Sequence, residues 1–195
     1  EYYKEKTLIL DGLTDTEGVF NCFIWNKLYK KKILMGVYFN ETIYMSEDFE
    51  FNWRIFKNVK RAVFTNYPVY HYRVFNNSLT RRCPTENFLS AIQTVEKILL
   101  EGMNYSDKIH QNIINDYLRL NIRAAETLLC NYDKDVYLKI KRNIYEHKDG
   151  VVILRADMKM LCKGLMVGFK VYALLYWIEK PVKLAIRKLK KVFII

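Results

Sequence analysis

The chain has 195 residues, 51% of them hydrophobic and 27% charged, with only 7 Gly and 3 Pro. That is globular composition, enough for one domain with an appendage, and it excludes a linker-rich or disordered protein. The net charge of +11 is uneven: from Val151 to the end, ten Lys or Arg stand against Asp157 and Glu179, a local +8, which points to an anionic partner, nucleic acid or an acidic membrane surface.

The first residue is Glu1, and no charged region with an apolar core follows it; the start reads as a cut inside a longer protein rather than a processed leader. Cys22, Cys83, Cys130 and Cys162 are irregularly spaced without a C-x-x-C pair. Zinc-ribbon and redox motifs are therefore excluded, and the thiols fit a reducing cytosol.

Residues 1–83 mix short strand-like runs, turns and aromatic clusters, which predicts an α/β or α+β unit. Within it, Ser46 is placed to cap a helix in which Phe49, Trp53 and Phe56 form one stripe and Phe51 and Ile55 a second. Glu47 and Asp48 fall in its first turn, where the helix dipole favours ionised carboxylates. A carboxylate held there at a cleft is suited to taking a proton from a hydroxyl nucleophile; acidic residues in a first turn are also ordinary helix punctuation.

Residues 62–74 contain two strand-like pieces about a Tyr67-Pro68 turn. Alternation places Val69, His71 and Arg73 on one face and Tyr70, Tyr72 and Val74 on the other. His71 as a ligand or donor and Arg73 as a charge clamp suit a metal-bound diphosphate; the alternative is a strand with one solvated face. Asn76 to Arg82 is a polar loop carrying Arg81 and Arg82.

From Pro84 to about residue 162 the pattern is helical. Thr85 precedes Phe88, Ile92, Val95 and Leu99 at helical spacing; a second helix is predicted from Ser106 through Leu129 and a third over Tyr137 to Tyr145. Gly102 and Gly150 stand where helices can end. Asp133-Lys134-Asp135 reads as a helix start.

Residues 163–195 form a basic tail. Val171 to Ile178 is an unbroken apolar run, far short of the ~20 residues that span a bilayer. After Pro181, Val182, Ala185, Ile186, Leu189 and Phe193 make a stripe, with Lys183, Arg187, Lys190 and Lys191 mostly off it. Such a helix can lie among lipid headgroups or dock its stripe on the rest of the protein.

The order Trp25-Asn26-Lys27-Leu28-Tyr29, Phe39-Asn40, Glu47-Asp48 with Phe51, Pro68-Val69-Tyr70-His71-Tyr72-Arg73 and Asn77-Ser78-Leu79-Thr80 resembles family 2 glycosyltransferases of capsule, lipopolysaccharide and teichoic-acid synthesis. The resemblance covers about residues 8–83. It implies the second half of a GT-A nucleotide-sugar transferase domain, α/β in class, over 1–83. A helical extension over 84–162 and the tail over 163–195 then follow.

Further, the resemblance implies an inverting transfer from a nucleotide-diphosphate sugar to a hydroxyl of a saccharide or lipid-linked acceptor. Asp48 becomes the catalytic base, with Glu47 beside it. Trp25, Asn26 and Lys27 border the acceptor, and His71, Arg73, Arg81 and Arg82 lie near the donor diphosphate. A divalent Mn or Mg ion is implied, with His71 a candidate ligand and its main D-x-D ligands in a segment before Glu1. This chain alone is then expected to be inactive, and its place is the cytoplasmic face of the cell membrane. The competing expectation is a non-enzymatic membrane-surface or interaction module. Nucleic acid is not expected, because no helix-turn-helix spacing, zinc ligand set or RNP-like motif accompanies the charge.

Overall fold

The computed structural model describes residues 2–3, 5–15, 18–67, 70–71, 73 and 84–192, with backbone alone at 2–3, 152–153 and 182–192. Among these residues the architecture is helical. The seven α-helices are α1 (Lys6–Thr14), α2 (Glu47–Phe56), α3 (Thr85–Gly102), α4 (Asp107–Thr127), α5 (Lys134–Glu146), α6 (Ala156–Val167) and α7 (Phe169–Val192). Strand is confined to β1 (Tyr2–Tyr3) and β2 (Ala62–Val63), one short antiparallel ladder with Tyr2 opposite Val63 and Tyr3 opposite Ala62.

The α/β class expected for the first 83 residues is therefore overturned. The physical reason lies in period and length. Ile9, Leu10 and Leu13 are buried together, the spacing of a helix face rather than of an alternating strand. Among the described residues, the strand-like pieces after Arg61 contribute only Ala62–Val63 to a ladder, and neither His71 nor Arg73 lies in a strand. The chain from Gly18 to Ser46 runs as turns around one 3₁₀ turn at Lys31–Leu34.

The chain divides into two compact units, Glu1–Leu120 and Asn121–Ile195, the division falling inside α4. In the first unit α1 packs on α2 and α2 on α3. Phe49, Phe51, Trp53, Ile55 and Phe56 are all buried, so α2 has the two covered sides its double stripe predicts. Trp53 donates its indole N–H to Glu101 at 2.8 Å, and Lys57 reaches the same carboxylate oxygen at 2.5 Å. At the other end, Lys108 and Asn112 of α4 hold Asp11 of α1 at 2.5 and 3.1 Å.

In the second unit α5 packs on α6 and α6 on α7. Two buried hydrogen bonds tie its helices: Asn143 donates to Asn121 at 2.9 Å, and the Tyr137 hydroxyl to the Leu165 carbonyl at 3.0 Å. Asp133 caps α5 by accepting from the backbone N–H groups of Asp135 and Val136, which satisfies two otherwise orphaned donors. Pro181 lies inside α7. α7 tolerates the missing N–H there, although proline removes one bond of the ladder. Val182, Ala185, Ile186 and Leu189 fall where backbone alone is described, and Phe193 lies outside the described residues.

Candidate functional site

The first unit brings three sequence motifs together at the start of α2. Ser46 occupies the N-cap position with φ 65° and makes no side-chain cap bond. The capping role its residue type predicts is therefore not filled by its hydroxyl. Its left-handed backbone instead turns the chain sharply into Glu47 and Asp48, a conformation that costs a non-glycine residue energy. Both carboxylates are half-buried in the first helical turn.

Asp48 accepts the backbone N–H of Ile24 through Oδ2 at 3.3 Å, which ties the Trp25-Asn26-Lys27 segment to α2. Burial pushes the Asp48 carboxyl above its ordinary range, against the Ile24 N–H and the Lys27 charge, which both pull it down. Glu47 is likewise raised, by burial first and by the Asp48 charge in addition, with its own backbone N–H opposing. Desolvation outweighs the dipole at this helix start.

Lys27 is held by its neighbours in sequence. Its ammonium donates to the carbonyls of Phe20 at 2.6 Å, Asn21 at 2.8 Å and Phe23, and to Asn26 Oδ1 at 2.8 Å. Asn26 also donates to the Phe20 carbonyl at 3.3 Å. Three ammonium protons facing four oxygens leave no free donor for a ligand. The direct contacts to donor or acceptor expected of Asn26 and Lys27 thus compete with an internal clamp on residues 20–27. Burial lowers Lys27 to about 8, while the nearby Cys22 and Asp48 raise it. The oxygens it donates to also favour the protonated form.

Trp25 stacks with Phe23 at 5.3 Å between ring centroids and with Tyr70 at 4.8 Å. All three rings are partly exposed. The three rings form a partly exposed aromatic stack, in which Phe23 and Tyr70 occupy ring faces of Trp25. Through it Tyr70 stands beside the Trp25 segment. His71 and Arg73 are exposed. Arg81, Arg82 and the Ser78–Thr80 stretch lie outside the described residues. Among the described residues no group of three or more His, Cys, Asp or Glu is placed to hold a metal ion, so a ligand role for His71 finds no companions there.

Adjoining the aromatic surface is a cleft of about 170 Å³ lined by Leu13, Thr14, Asp15, Asn21, Cys22, Phe23, Asp116 and Arg119. Asn21 turns into it with φ 56°, a conformation asparagine adopts more readily than most residues. Burial pushes Asp116 up to about 6, with Asp15 adding and Arg119, at 3.9 Å, opposing. The Cys22 thiol is pushed up to about 11, first by burial, so it is protonated at neutral pH and is no nucleophile. Sequence reading passed over Asp116 and Arg119. The signal for them is an acid and a base three apart on α4, beside the buried Ile113 and Tyr117.

No protein-family model matches the chain, and no curated protein and no solved structure matches it.

Proposed function

We propose that this chain carries the acceptor-activating base of an inverting glycosyltransferase that uses a nucleotide-diphosphate sugar, in cell-surface polysaccharide synthesis. The observation that supports this most is Asp48: a half-buried carboxylate of raised proton affinity, lying beside the Lys27 charge and fixed by the N–H of Ile24, the residue between Phe23 and Trp25 of the exposed Phe23–Trp25–Tyr70 stack.

In this reading Asp48 takes the proton from the acceptor hydroxyl as that oxygen attacks the anomeric carbon. The new C–O bond forms as the bond to the diphosphate breaks, and the nucleoside diphosphate leaves with the electron pair. A raised proton affinity makes Asp48 a stronger base than an ordinary carboxylate, with Lys27 opposing the rise. The rings orient the acceptor sugar, which lowers the entropic cost of the encounter. A divalent cation, when bound, offsets the charge on the leaving diphosphate; the described residues supply no nest for it. The proposed place of action is the cytoplasmic face of the cell membrane, in keeping with the basic C-terminal end.

The test uses the longest natural polypeptide containing this chain, wild type and Asp48→Asn. Nucleoside diphosphate release is measured across a panel of nucleotide sugars, with Mn²⁺ or Mg²⁺ and saccharide and lipid-linked acceptors. Release with one donor, lost in the variant while donor binding persists, supports the proposal. Equal release from both proteins removes Asp48 from the mechanism. No release with any donor overturns the enzymatic reading.

A further inference from the structure

The expectation that the basic tail packs an apolar stripe either on lipid or on the protein itself meets a specific geometry in α7. One side of α7 is covered: Tyr172 is fully buried and its hydroxyl donates to the Ile122 carbonyl at 3.5 Å. A different row is open. Val171, Leu174 and Ile178 follow one another at i, i+3 and i+7, and with neighbouring Trp177 they are 39%, 62%, 56% and 59% exposed, respectively. Such a contiguous group of large apolar side chains in water marks a docking surface rather than scattered exposure.

Two further facts say what covers it. Lys170 and Lys180 are exposed beside the row, and the Lys180 ammonium lies 5.1 Å from the Trp177 ring centroid and 5.6 Å from that of Tyr176. The α7 backbone also stays helical through Pro181 to Val192. In the sequence, Val182, Ala185 and Leu189 follow Ile178 at helical spacing and prolong the open row. The positions that prolong the covered side, after Tyr172 and Glu179, are Lys183, Ile186 and Lys190, and Lys188 continues the line of Leu174 and Trp177. Beyond Pro181 cations therefore fall at register positions of both sides of the helix, interleaved with apolar residues.

We propose that this row of α7 is a docking surface for an anionic lipid membrane. The helix lies in the headgroup plane with Leu174, Trp177 and Ile178 in the acyl boundary and the lysines on lipid phosphates. The charge separates this occupant from the others. A second copy brings the same local +8 against itself, and a nucleic-acid backbone offers nothing apolar to Leu174 and Ile178. No described helix is long and apolar enough to cross the membrane, so the contact is along the surface. The inference is independent of the sugar-transfer reading.

The test is co-sedimentation of the full chain with vesicles of phosphatidylcholine alone, or of phosphatidylcholine with a quarter phosphatidylglycerol. Leu174→Ala/Trp177→Ala is compared with wild type, with matching thermal melts as the folding control; a Lys180→Gln variant tests the charge separately. Expected are binding only to the anionic vesicles, weakening as salt rises, and a loss of about tenfold or more in the double variant. Equal binding to both vesicle types, or unchanged binding by the double variant, overturns the proposal. So does retention on RNA, or a concentration-dependent dimer lost in the variant, where vesicle binding is absent.

Discussion

The Tyr29 hydroxyl donates to the Oδ1 of Asn52 at 2.5 Å, and the Nδ2 of the same fully buried amide donates to the Cys22 carbonyl at 2.7 Å. One side chain on α2 thereby fixes both ends of the turn segment that carries Trp25 and Lys27. Burial pushes the Tyr29 hydroxyl well above its ordinary range, the Asp48 charge adding to this, so it stays a donor throughout the working pH range.

Removing either partner of this pair has unequal consequences. Tyr29→Phe leaves one acceptor lobe of Asn52 unmet and is expected to cost about 1 kcal/mol. Asn52→Ala strands the Tyr29 hydroxyl and the Cys22 carbonyl and opens a void, for about 2–4 kcal/mol. Urea denaturation of the two single variants and the double variant checks this. Full additivity in that cycle refutes the coupling.

The base role of Asp48 carries its own pH signature. Because burial raises the carboxyl, the acid limb of kcat/KM is expected above the ordinary value of 3.8. Lys27 pulls that carboxyl down, so Lys27→Met is expected to shift the limb further upward. An acid limb unmoved in Lys27→Met shows that the rate-limiting ionisation belongs to another group.

Much of the helical half is legible from residue spacing, because long stretches repeat one face. Phe88, Ile92, Val95 and Leu99 mark α3, and Ile109, Ile113 and Tyr117 mark α4. The double stripe of α2 and the Asp133 start of α5 are equally plain. α1 is not, since Leu8 to Leu10 is a short apolar run that fits a strand or a helix. Among the described residues of 62–74 the strand reading holds only at Ala62–Val63, which pair with Tyr2–Tyr3, because alternation shows which faces are possible and not whether a partner strand exists. The Lys27 clamp has no sequence signature at all. Its acceptors are mostly backbone carbonyls, converged by the left-handed turn at Asn21.

The cleft predicts a pH-dependent stability. Asp116 has a folded value of about 6 against an ordinary 3.8, so between those values the folded state binds more protons than the unfolded one. Its contribution is greatest below 3.8 and is lost as pH rises through about 6. The loss is on the order of 1–3 kcal/mol, softened because the side chain retains 23% exposure. Lys27 acts in a higher window: its folded value of about 8 lies below 10.5. The unfolded state binds more protons there, and stability recovers as pH rises from 8 to 10.5. Asp116→Asn is expected to shrink the acidic decline, to which the raised Asp48 and Glu47 also contribute, and to leave the higher window unchanged, measured as urea midpoints across the range. A wild-type curve without a decline between 3.8 and 6 removes the buried-carboxylate account.

Two glycines at the α6–α7 junction give opposite expectations. A Cβ on Gly164 meets Leu175 Cδ1 at 2.9 Å and the Tyr172 Cα at 3.1 Å, while one on Gly168 meets nothing within 4 Å. Gly168 has φ 172°, extended backbone open to any residue. Gly164→Ala gains helix propensity of about 1 kcal/mol. It must, however, push the backbone of α7 away, an overpacking cost of about 1–3 kcal/mol. Net destabilisation follows, because the Tyr172 backbone cannot swing aside as the end of Leu175 can. Gly168→Ala removes only unfolded-state freedom and is expected to be neutral or to stabilise by about 0.4–1 kcal/mol. Thermal and urea denaturation of the two variants side by side checks the contrast. If Gly164→Ala stabilises as much as Gly168→Ala, α6 and α7 do not approach as closely as these distances require.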